Sequence, residues 1–281
     1  MSEALFRITD LHLALPDLAR KPLFGPAPRI EILKGLTFDL PAGQIVGIVG
    51  ESGSGKTTLG RVLVRLLTAS SGRVIFKGQD ITHLSEAQLK PLRQDLQMIF
   101  QDPMSSLNPR HTVGHIVATP MQRYGIPTPY AGALEMLERV GLPAAFARRY
   151  PHELSGGQRQ RVGIARAVAL NPAFILADEI VSGLDVSSQA QVLALLKELA
   201  ADMNLTIAFI SHDLSVIRSV CTQLIVLDQG SIAEAGSCRQ IFDAPESDVT
   251  RTLIDAIPLP EVDDGWFDRG DPPAVQAQAE A

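Results

Sequence analysis

The sequence predicts an α/β fold in which a parallel sheet is bordered by an antiparallel sheet and carries a helical insertion. Short apolar stretches alternate with stretches of helical periodicity from residue 174 to residue 227, the order that is typical of a parallel sheet. Residues 5–15, 32–40 and 73–76 alternate between apolar and polar side chains, which favours antiparallel strands. Residues 112–150 are predicted to be mostly helical.

The length and composition limit the class of protein. The chain has 281 residues, of which 46% are hydrophobic, and a net charge of −6. It is long enough for one large domain with an inserted subdomain and a tail. No apolar run approaches the length of a membrane span, and the first residues lack the pattern of a secretory signal, so we expect a cytosolic protein. The mild negative charge argues against a protein whose main work is to bind nucleic acid.

A glycine-rich loop follows the first strand of the predicted parallel sheet. The strand is the apolar run at residues 44–49, and residues 58–67 have the leucine and valine spacing of a helix. The loop between them matches G-x-x-x-x-G-K-[ST] and reads Gly50-Glu51-Ser52-Gly53-Ser54-Gly55-Lys56-Thr57. Its glycines let backbone N–H groups surround a phosphate at the N-terminus of the helix, where Thr58 follows. An accidental match is expected in roughly one chain in a hundred of this length.

The loop therefore predicts a nucleotide site, in which several side chains have separate roles. Lys56 would reach the β- and γ-phosphates, and the Thr57 hydroxyl would bind Mg²⁺. Asp178 ends an apolar strand, which is where proteins with this loop hold the metal. The adjoining Glu179 is placed to polarise the attacking water. Such a base typically raises the reaction rate by a factor of about 10²–10⁴. Two adjacent acids are in isolation more often the start of a solvated loop, but the apolar strand before them favours the catalytic interpretation.

The other elements are predicted from the same patterns. A loop with proline and glycine separates the first two antiparallel strands, and a short polar helix is expected at residues 85–93. Beyond about residue 246 the chain is rich in Pro, Asp and Ala, which predicts a loose tail. The remaining elements are a strand at 96–100, a helix at about 187–201, a strand at 206–210, a helix after residue 212 and a strand at 224–227.

A second anion-binding helix start is predicted at Leu154-Ser155-Gly156-Gly157-Gln158, which opens a helix running through Leu170. A serine and two glycines at this point leave backbone N–H groups free, with the helix dipole behind them. Taken alone, the stretch is more often an ordinary helix cap. Two phosphate-binding helix starts in one chain make sense if two copies of the chain face each other.

The phosphate loop, the Leu154–Gln158 stretch and the acidic strand, in this order, resemble the nucleotide-binding subunit of an ATP-binding cassette (ABC) transporter. The resemblance implies a P-loop NTPase core of the RecA-like type, with an antiparallel β subdomain and an α-helical subdomain at about residues 95–170. It implies ATP and Mg²⁺ as cofactors. It also implies a head-to-tail dimer in which each ATP lies between the phosphate loop of one subunit and the Leu154–Gln158 signature of the other.

Other positions acquire roles only through this resemblance. Gln101 stands where the family has a glutamine that senses the nucleotide and contacts the membrane subunits, and with Thr57 and Asp178 it is an expected Mg²⁺ ligand. His212 matches the switch histidine that contacts the γ-phosphate, and with Glu179 and Lys56 it completes the expected catalytic set. The loop that crosses the dimer interface is expected at Ser182-Gly183-Leu184-Asp185.

The resemblance extends to the ATPase subunits of dipeptide and oligopeptide importers, over most of residues 5–245. It implies a cassette at residues 1–245, an extension and flexible tail at 246–281, and a peripheral position at the cytoplasmic face of the cell membrane. The implied partners are a second ATPase subunit, two transmembrane permease subunits and, indirectly, an extracytoplasmic solute-binding protein, with no nucleic acid. The motifs that carry it are Gln97–Pro103, Ser105–Arg110, Tyr150–Glu153, Asp185–Ser187 and Gln189–Leu193.

The alternatives are a soluble ABC ATPase of DNA repair or translation and a regulatory module without turnover. Soluble relatives resemble tandem cassettes, or carry coiled coils or zinc modules, which do not fit 281 residues with two cysteines. The intact set of Lys56, Asp178, Glu179 and His212 argues against a module without turnover.

The sequence departs from the family pattern at three points. Ile180 follows the glutamate where the family usually has proline. Leu15 stands where an aromatic side chain that stacks on adenine is expected, and Phe24 is the alternative for that role. Cysteines that bind an iron–sulfur cluster in some relatives are missing, so Cys221 and Cys238 are expected to be free thiols.

Overall fold

The computed structural model describes residues 4–22 and 25–257. Phe24 and residues 258–281 lie outside the described part of the chain. The predicted α/β class, with its antiparallel sheet and inserted helices, is confirmed. The two sheets and the helices that cover them form two hydrophobic cores.

The central sheet has six strands in the order β10-β9-β3-β8-β7-β6. Five of them are parallel, and β10 runs antiparallel to β9. The four strands β9, β3, β8 and β7 are almost completely buried on both faces, as parallel strands in α/β proteins are. Their bounds are Ile45–Gly50 for β3, Leu96–Ile99 for β6, Phe174–Asp178 for β7, Thr206–Ile210 for β8, Gln223–Asp228 for β9 and Ser231–Ser237 for β10.

The smaller sheet is antiparallel, in the order β2-β1-β4-β5, and confirms the predicted strands of the first eighty residues. Phe6 of this sheet pairs with Phe76, and its ring lies 4.8 Å from those of both Phe76 and Phe174. These contacts join the small sheet to β7 of the central sheet. The bounds are Ala4–Pro16 for β1, Arg29–Pro41 for β2, Ser71–Phe76 for β4 and Gln79–Asp80 for β5.

Successive residues of the central strands pack into different cores, because side chains alternate across a strand. Ile48 of β3 belongs to the core shared with α1 and the antiparallel sheet. Val49, the next residue, belongs to the core formed with the helices on the other face. The sheet is therefore sandwiched between an antiparallel layer and a helical layer.

The helices follow the predicted order, with the insertion resolved into several short helices and two 3₁₀ turns. Among the described residues, no helix is both long enough and apolar enough to cross a bilayer. The bounds are Lys56–Leu63 for α1, Glu86–Leu89 for α2, Pro103–Ser106 for α3, Val113–Arg123 for α4, Pro129–Arg139 for α5, Gly156–Val168 for α6, Val186–Asp202 for α7 and Leu214–Val220 for α8.

The prediction of a loose tail beyond residue 246 is wrong for its first part. Two helices close the described chain, α9 at Cys238–Asp243 and α10 at Asp248–Asp255. The side chains of Leu253, Ile254 and Ile257 pack against the larger core. The carboxylate of Glu234, on β10, accepts hydrogen bonds from the backbone amides of Glu246 and Ser247 just before α10. A distant strand thus holds the start of this helix, and the local composition does not reveal it.

The antiparallel sheet contains an ionic cluster at its edge. One ring nitrogen of His12 lies 2.7 Å from Glu31 Oε1, and the other lies 3.1 Å from Asp10 Oδ1. The hydrogen bond with Glu31, followed by that with Asp10, raises the pKa of His12 above its ordinary value. The protonated ring makes two charge-assisted hydrogen bonds, of which the one to Glu31 links β1 to β2 and the one to Asp10 stays within β1.

This cluster predicts a pH-dependent contribution to stability. A pKa raised by folding stabilises the native state fully below the unfolded value of about 6.5, and the contribution disappears as the pH rises through the folded pKa. We expect the melting temperature of His12→Gln to fall below that of the wild type at pH 5.5 and to approach it at pH 8.5. His83→Gln, a change at an exposed histidine, is the control. A difference that grows with pH would contradict the assignment.

Candidate functional site

The Gly50–Thr57 loop has a backbone conformation that requires glycine at particular positions. Gly50, Gly53 and Gly55 have φ angles of 145°, 83° and 103°. A Cβ atom on Gly50 would lie 2.1 Å from the carbonyl oxygen of Leu227, and on Gly55 it would lie 3.0 Å from Leu33. Residues with a side chain rarely adopt these angles, so the loop shape depends on the glycines.

Lys56 lies inside the loop. Its side chain is almost buried, and Nζ donates hydrogen bonds to the carbonyl oxygens of Gly50, at 2.8 Å, and Glu51, at 2.7 Å. Burial lowers the pKa of the Lys56 amine, and the nearby carboxylates of Glu179 and Asp178 oppose that shift. The loop carbonyls therefore hold the cation in place at the N-terminus of α1.

The hydroxyl of Ser54 supports a ligand inside the loop. It is buried and has no hydrogen-bond partner within the part of the chain that the structure describes. A buried polar group without a partner costs stability, so its retention here favours a partner that the protein alone does not supply. A phosphate oxygen fits this position, because it accepts hydrogen bonds from hydroxyl and amide donors.

Thr57 and Asp178 meet at the ends of α1 and β7. The Thr57 hydroxyl donates to Asp178 Oδ1 at 3.3 Å, and Asp178 is only 6% exposed. Burial raises the pKa of the Asp178 carboxyl, while the hydrogen bond from Thr57 opposes the shift. One hydroxyl and one carboxylate are oxygen donors of the kind that Mg²⁺ takes beside phosphates, so these two residues suit that metal.

The carboxylate of Glu179 lies near two side chains that follow the ends of other strands. Gln101 Nε2 donates to Glu179 Oε2 at 2.8 Å, and His212 Nδ1 lies 3.7 Å from Glu179 Oε1. The structure therefore brings together three residues that are 78 and 33 positions apart in the chain. Gln101 contacts the glutamate instead of Thr57 or Asp178 in this arrangement.

The backbone at Glu179 is also unusual. Its φ angle is 50°, in the left-handed region, and its N–H donates to the carbonyl oxygen of Ile210 on β8. Ile180, the residue that replaces the usual proline, is buried in the larger core. Proline restricts the conformation of the residue before it, so isoleucine gives Glu179 more freedom to adopt this angle.

These residues border one open cleft of about 550 Å³. Ile32 of β2 lines it, and the sequence pattern did not indicate a functional role for this residue, since it looks like any half-buried strand position. Leu15 packs against the core of the antiparallel sheet. The cleft is lined by Ile32, Gly50, Ser52, Gly53, Gly55, Lys56, Thr57, Thr58, Glu179 and His212.

The Leu154–Gln158 signature lies elsewhere on the subunit. Ser155 caps α6 by accepting a hydrogen bond from the Gln158 amide, and the Gln158 side chain accepts one from the Ser155 amide. Ser155, Gly157 and Gln158 line a separate cavity of about 310 Å³. None of the signature residues lines the cleft at the phosphate loop.

The Ser182–Asp185 loop connects the two places. The Ser182 hydroxyl donates to the carbonyl oxygen of Glu179 at 2.8 Å, and Asp185 caps α7 by accepting from the Ser188 amide. A Cβ built on Gly156 would lie 3.5 Å from the side chain of Leu184. The loop therefore contacts the glutamate at one end and the signature helix at the other.

Known proteins are similar in sequence to this chain. A model of the ABC transporter family matches residues 33–182. The oligopeptide transport ATP-binding protein AppF of Bacillus subtilis is 47% identical over 234 residues, which cover 82% of this chain and 71% of AppF. A putative peptide import ATP-binding protein of Brucella ovis is 47% identical over 237 residues, covering 83% of this chain and 75% of that protein. The glutathione import ATP-binding protein GsiA of Salmonella paratyphi A is 46% identical over 261 residues, and these cover 42% of GsiA.

Solved structures of cassettes are similar as well. The dimeric ATP-binding cassette MJ0796, in a post-hydrolysis state bound to ADP and Pi, superposes with a TM-score of 0.71. It is 28% identical, and the match covers 83% of this chain and 99% of that one. CbiO1 of Clostridium perfringens, part of the transporter complex cbiONQ, has a TM-score of 0.75 at 25% identity. The match covers 92% of this chain and 97% of that one.

The loop conformation predicts different costs for two glycine substitutions. In Gly53→Ala a residue with a side chain must adopt a positive φ angle, although its Cβ meets no atom within 4 Å. We therefore expect the free energy of unfolding to fall by about 1–2 kcal/mol. Gly50→Ala also places Cβ against a backbone oxygen that cannot turn away, so its loss should be larger. Urea unfolding of both variants without nucleotide measures the difference. Equal losses would contradict the tight contact at Gly50.

Proposed function

The chain belongs to the ABC transporter family, and we propose that it is the ATP-hydrolysing subunit of an importer for peptides or a related solute. The observation that carries the proposal is the Glu179 carboxylate, which accepts a hydrogen bond from Gln101 and lies close to His212 at the mouth of the phosphate loop. The relatives named for oligopeptide, peptide and glutathione import support this class of solute.

The residues of the cleft divide the work of ATP hydrolysis. The N–H groups of the loop and Lys56 Nζ bind the phosphates, with Lys56 exchanging its bonds to the Gly50 and Glu51 carbonyls for bonds to phosphate oxygens. Thr57 and Asp178 would hold Mg²⁺, with Gln101 as a third ligand once it leaves Glu179. When bound, Mg²⁺ neutralises charge on the phosphates.

Proton transfer is assigned to Glu179. Its carboxylate orients the attacking water and accepts a proton at Oε1 or Oε2, and this base is expected to contribute about 10²–10⁴ in rate. His212 lines the same cleft and is exposed, so its ring can contact the γ-phosphate. The hydrogen bond from Gln101 occupies Glu179 Oε2, so the whole carboxylate is available to a water only after Gln101 has released it.

A second subunit completes each site. The signature residues lie outside the cleft of their own subunit, so they are free to face the phosphate loop of a partner. The N-terminus of α6 then offers its dipole to the phosphates from the opposite side. ATP binds the closed dimer more tightly than the open one, and this difference in affinity drives closure, as any ligand-driven switch requires.

The closing dimer would move two separate permease subunits in the membrane. The chain would lie at the cytoplasmic face, and a solute-binding protein outside the cell would deliver the solute. We assign residues 1–245 to the cassette, with a helical subdomain at about 95–170, and residues 246–281 to a C-terminal extension. The alternative of a soluble ATPase in DNA repair or translation has less support, because the relatives reported above are named for transport or import.

The base assignment predicts the behaviour of Glu179→Gln. This variant should bind ATP with unchanged affinity, but its turnover rate should fall by a factor of about 10²–10⁴, because the amide cannot accept a proton. Glu198→Gln is the matched control, because it makes the same change at an exposed position of α7 that does not line the cleft. Phosphate release and binding of a fluorescent ATP analogue measure the two effects.

Full hydrolysis by Glu179→Gln would rule out the assigned base. In cells, Glu179→Gln should also be recovered from the membrane fraction with two multi-span subunits. Recovery in the cytosolic fraction alone would favour the soluble alternative instead.

The shared site predicts rescue between two inactive variants. Lys56→Ala disables the phosphate loop, and Ser155→Arg blocks the signature with a long side chain, so each variant alone should be inactive. In a mixed dimer, the intact loop of one chain faces the intact signature of the other, and one complete site forms. We expect ATPase activity to return on mixing. Each mixed dimer should reach up to half the activity of a wild-type dimer. Two sites that each lie within one chain would give no rescue.

A further inference from the structure

A second cavity, of about 500 Å³, lies beside the nucleotide cleft and is not used by the proposed mechanism. It is located between the end of β3, the turn that carries His212, and the last turn of α10. Gly50 and His212 line both this cavity and the nucleotide cleft. The cavity is lined by Val49, Gly50, Ser211, His212, Asp213, Leu214, Ser215, Leu253, Ala256 and Ile257.

The cavity has an apolar wall and a polar rim. Val49 and Leu214 belong to the larger core, and Leu253 and Ile257 of the α10 region pack against that core while still bordering the cavity. On the rim, the Asp213 carboxylate already accepts hydrogen bonds from the amides of Ser215 and Val216. These bonds occupy part of the polar rim, and the wall has apolar surface to bury, so a mainly apolar occupant fits best.

The chain itself continues from the wall of this cavity. Ile257 lines it, and residues 258–281 follow without a break. They contain Trp266, which is the only tryptophan of the protein, and Phe267 directly after it. Trp266 follows Ile257 by nine positions, enough to span up to about 30 Å, so both rings can return to the cavity.

We propose that the segment 258–281 docks into this cavity of its own subunit, with Trp266 and Phe267 against the wall formed by Leu253, Ala256 and Ile257. Aromatic side chains are the residues that gain most from burial, and the indole N–H can still reach the polar rim. The acidic residues Asp263, Asp264 and Asp268 flank the aromatic pair in the sequence. Docking brings these acids towards Gly50, where the phosphate loop and α1 create an environment that favours negative charge.

Docking is then linked to the nucleotide. The linkage rests on the proposed ATP binding, whereas the docking itself does not. Gly50 and His212 border both cavities, so a change in either residue on ATP binding alters the docking surface. By thermodynamic reciprocity, the segment must then change ATP affinity by the same factor by which ATP changes docking.

The single tryptophan makes the docking measurable in the full chain. We expect Trp266 emission in the native protein to be shifted to shorter wavelength and weakly quenched by acrylamide, compared with the same protein unfolded in urea. Ala256→Glu places a charge on the cavity wall at an exposed position and should shift the emission and the quenching to the values of an exposed indole. Thr252→Glu, an equally exposed position of α10 outside the cavity, should leave both unchanged. Melting curves confirm that both variants fold.

An indole that is exposed in the wild type, or one that is protected equally in Ala256→Glu, overturns the proposal. Protection that appears only at high protein concentration means that a second copy supplies the segment, and this too overturns docking within the subunit.

The linkage to the nucleotide has its own test. Mg-ATP added to Glu179→Gln should change the quenching of Trp266 by acrylamide, and Trp266→Ala should change the dissociation constant of ATP by about fivefold or more. If ATP binds normally and neither quantity changes, the linkage is wrong. If ATP does not bind at all, the proposed function fails while the docking result stands.

Discussion

The parallel pairing of β3, β8 and β7 is the constraint on which the rest of the site depends. In this register Ile48 and Asp178 both lie opposite Ile210, so all three strands end at one edge of the sheet. The Gly50–Thr57 loop, the two acids Asp178 and Glu179, and His212 all follow strand ends at that edge, where α/β proteins bind their ligands. A slip of one residue in any of these pairings would turn the site residues to the other face.

Close packing of α1 on the sheet keeps the phosphate loop at this edge. A Cβ on Gly60 would lie 2.7 Å from the side chain of Leu176, so the helix can approach β7 only with glycine at that position. At the far end of α1, the buried guanidinium of Arg65 donates to the carbonyl oxygens of Ile81, Leu67 and Leu84. Arg93 donates to the carbonyl oxygen of Arg65. The helix is thus fixed at both ends, and its N-terminus points at the phosphate site.

In the proposed mechanism, the contacts of Glu179 correspond to a subunit that is not yet ready to hydrolyse ATP. Its carboxylate is bonded to Gln101, and its backbone is held by Ile210 and Ser182. Ser182 begins the loop that reaches the signature helix through Leu184. We propose that a partner that presses on this loop acts on Glu179 through one bonded segment. Contacts within a single chain would in this way connect hydrolysis to dimer closure.

Much of the site was predictable because local patterns specify it. Three features depend only on spacing within a few residues, which can be read directly from the sequence. They are the phosphate loop, the acids at the end of an apolar strand, and the serine and glycines that open α6. The same holds for the strands and helices of the central sheet. The family resemblance then supplied Gln101 and His212 as candidates, which composition and periodicity alone would not have selected.

Only the tertiary structure decided the features that join distant parts of the chain. One is the hydrogen bond between Gln101 and Glu179, which are far apart in the sequence. Another is the position of Ile32 in the cleft, which depends on how the strands lie side by side. A third is the start of α10, where backbone amides donate to the carboxylate of Glu234. The helix at Asp248–Asp255 forms because its apolar side chains find a core to cover, which its Pro-, Asp- and Ala-rich surroundings do not indicate. Hydrophobic spacing specifies each element, whereas the packing of the folded chain specifies which elements meet.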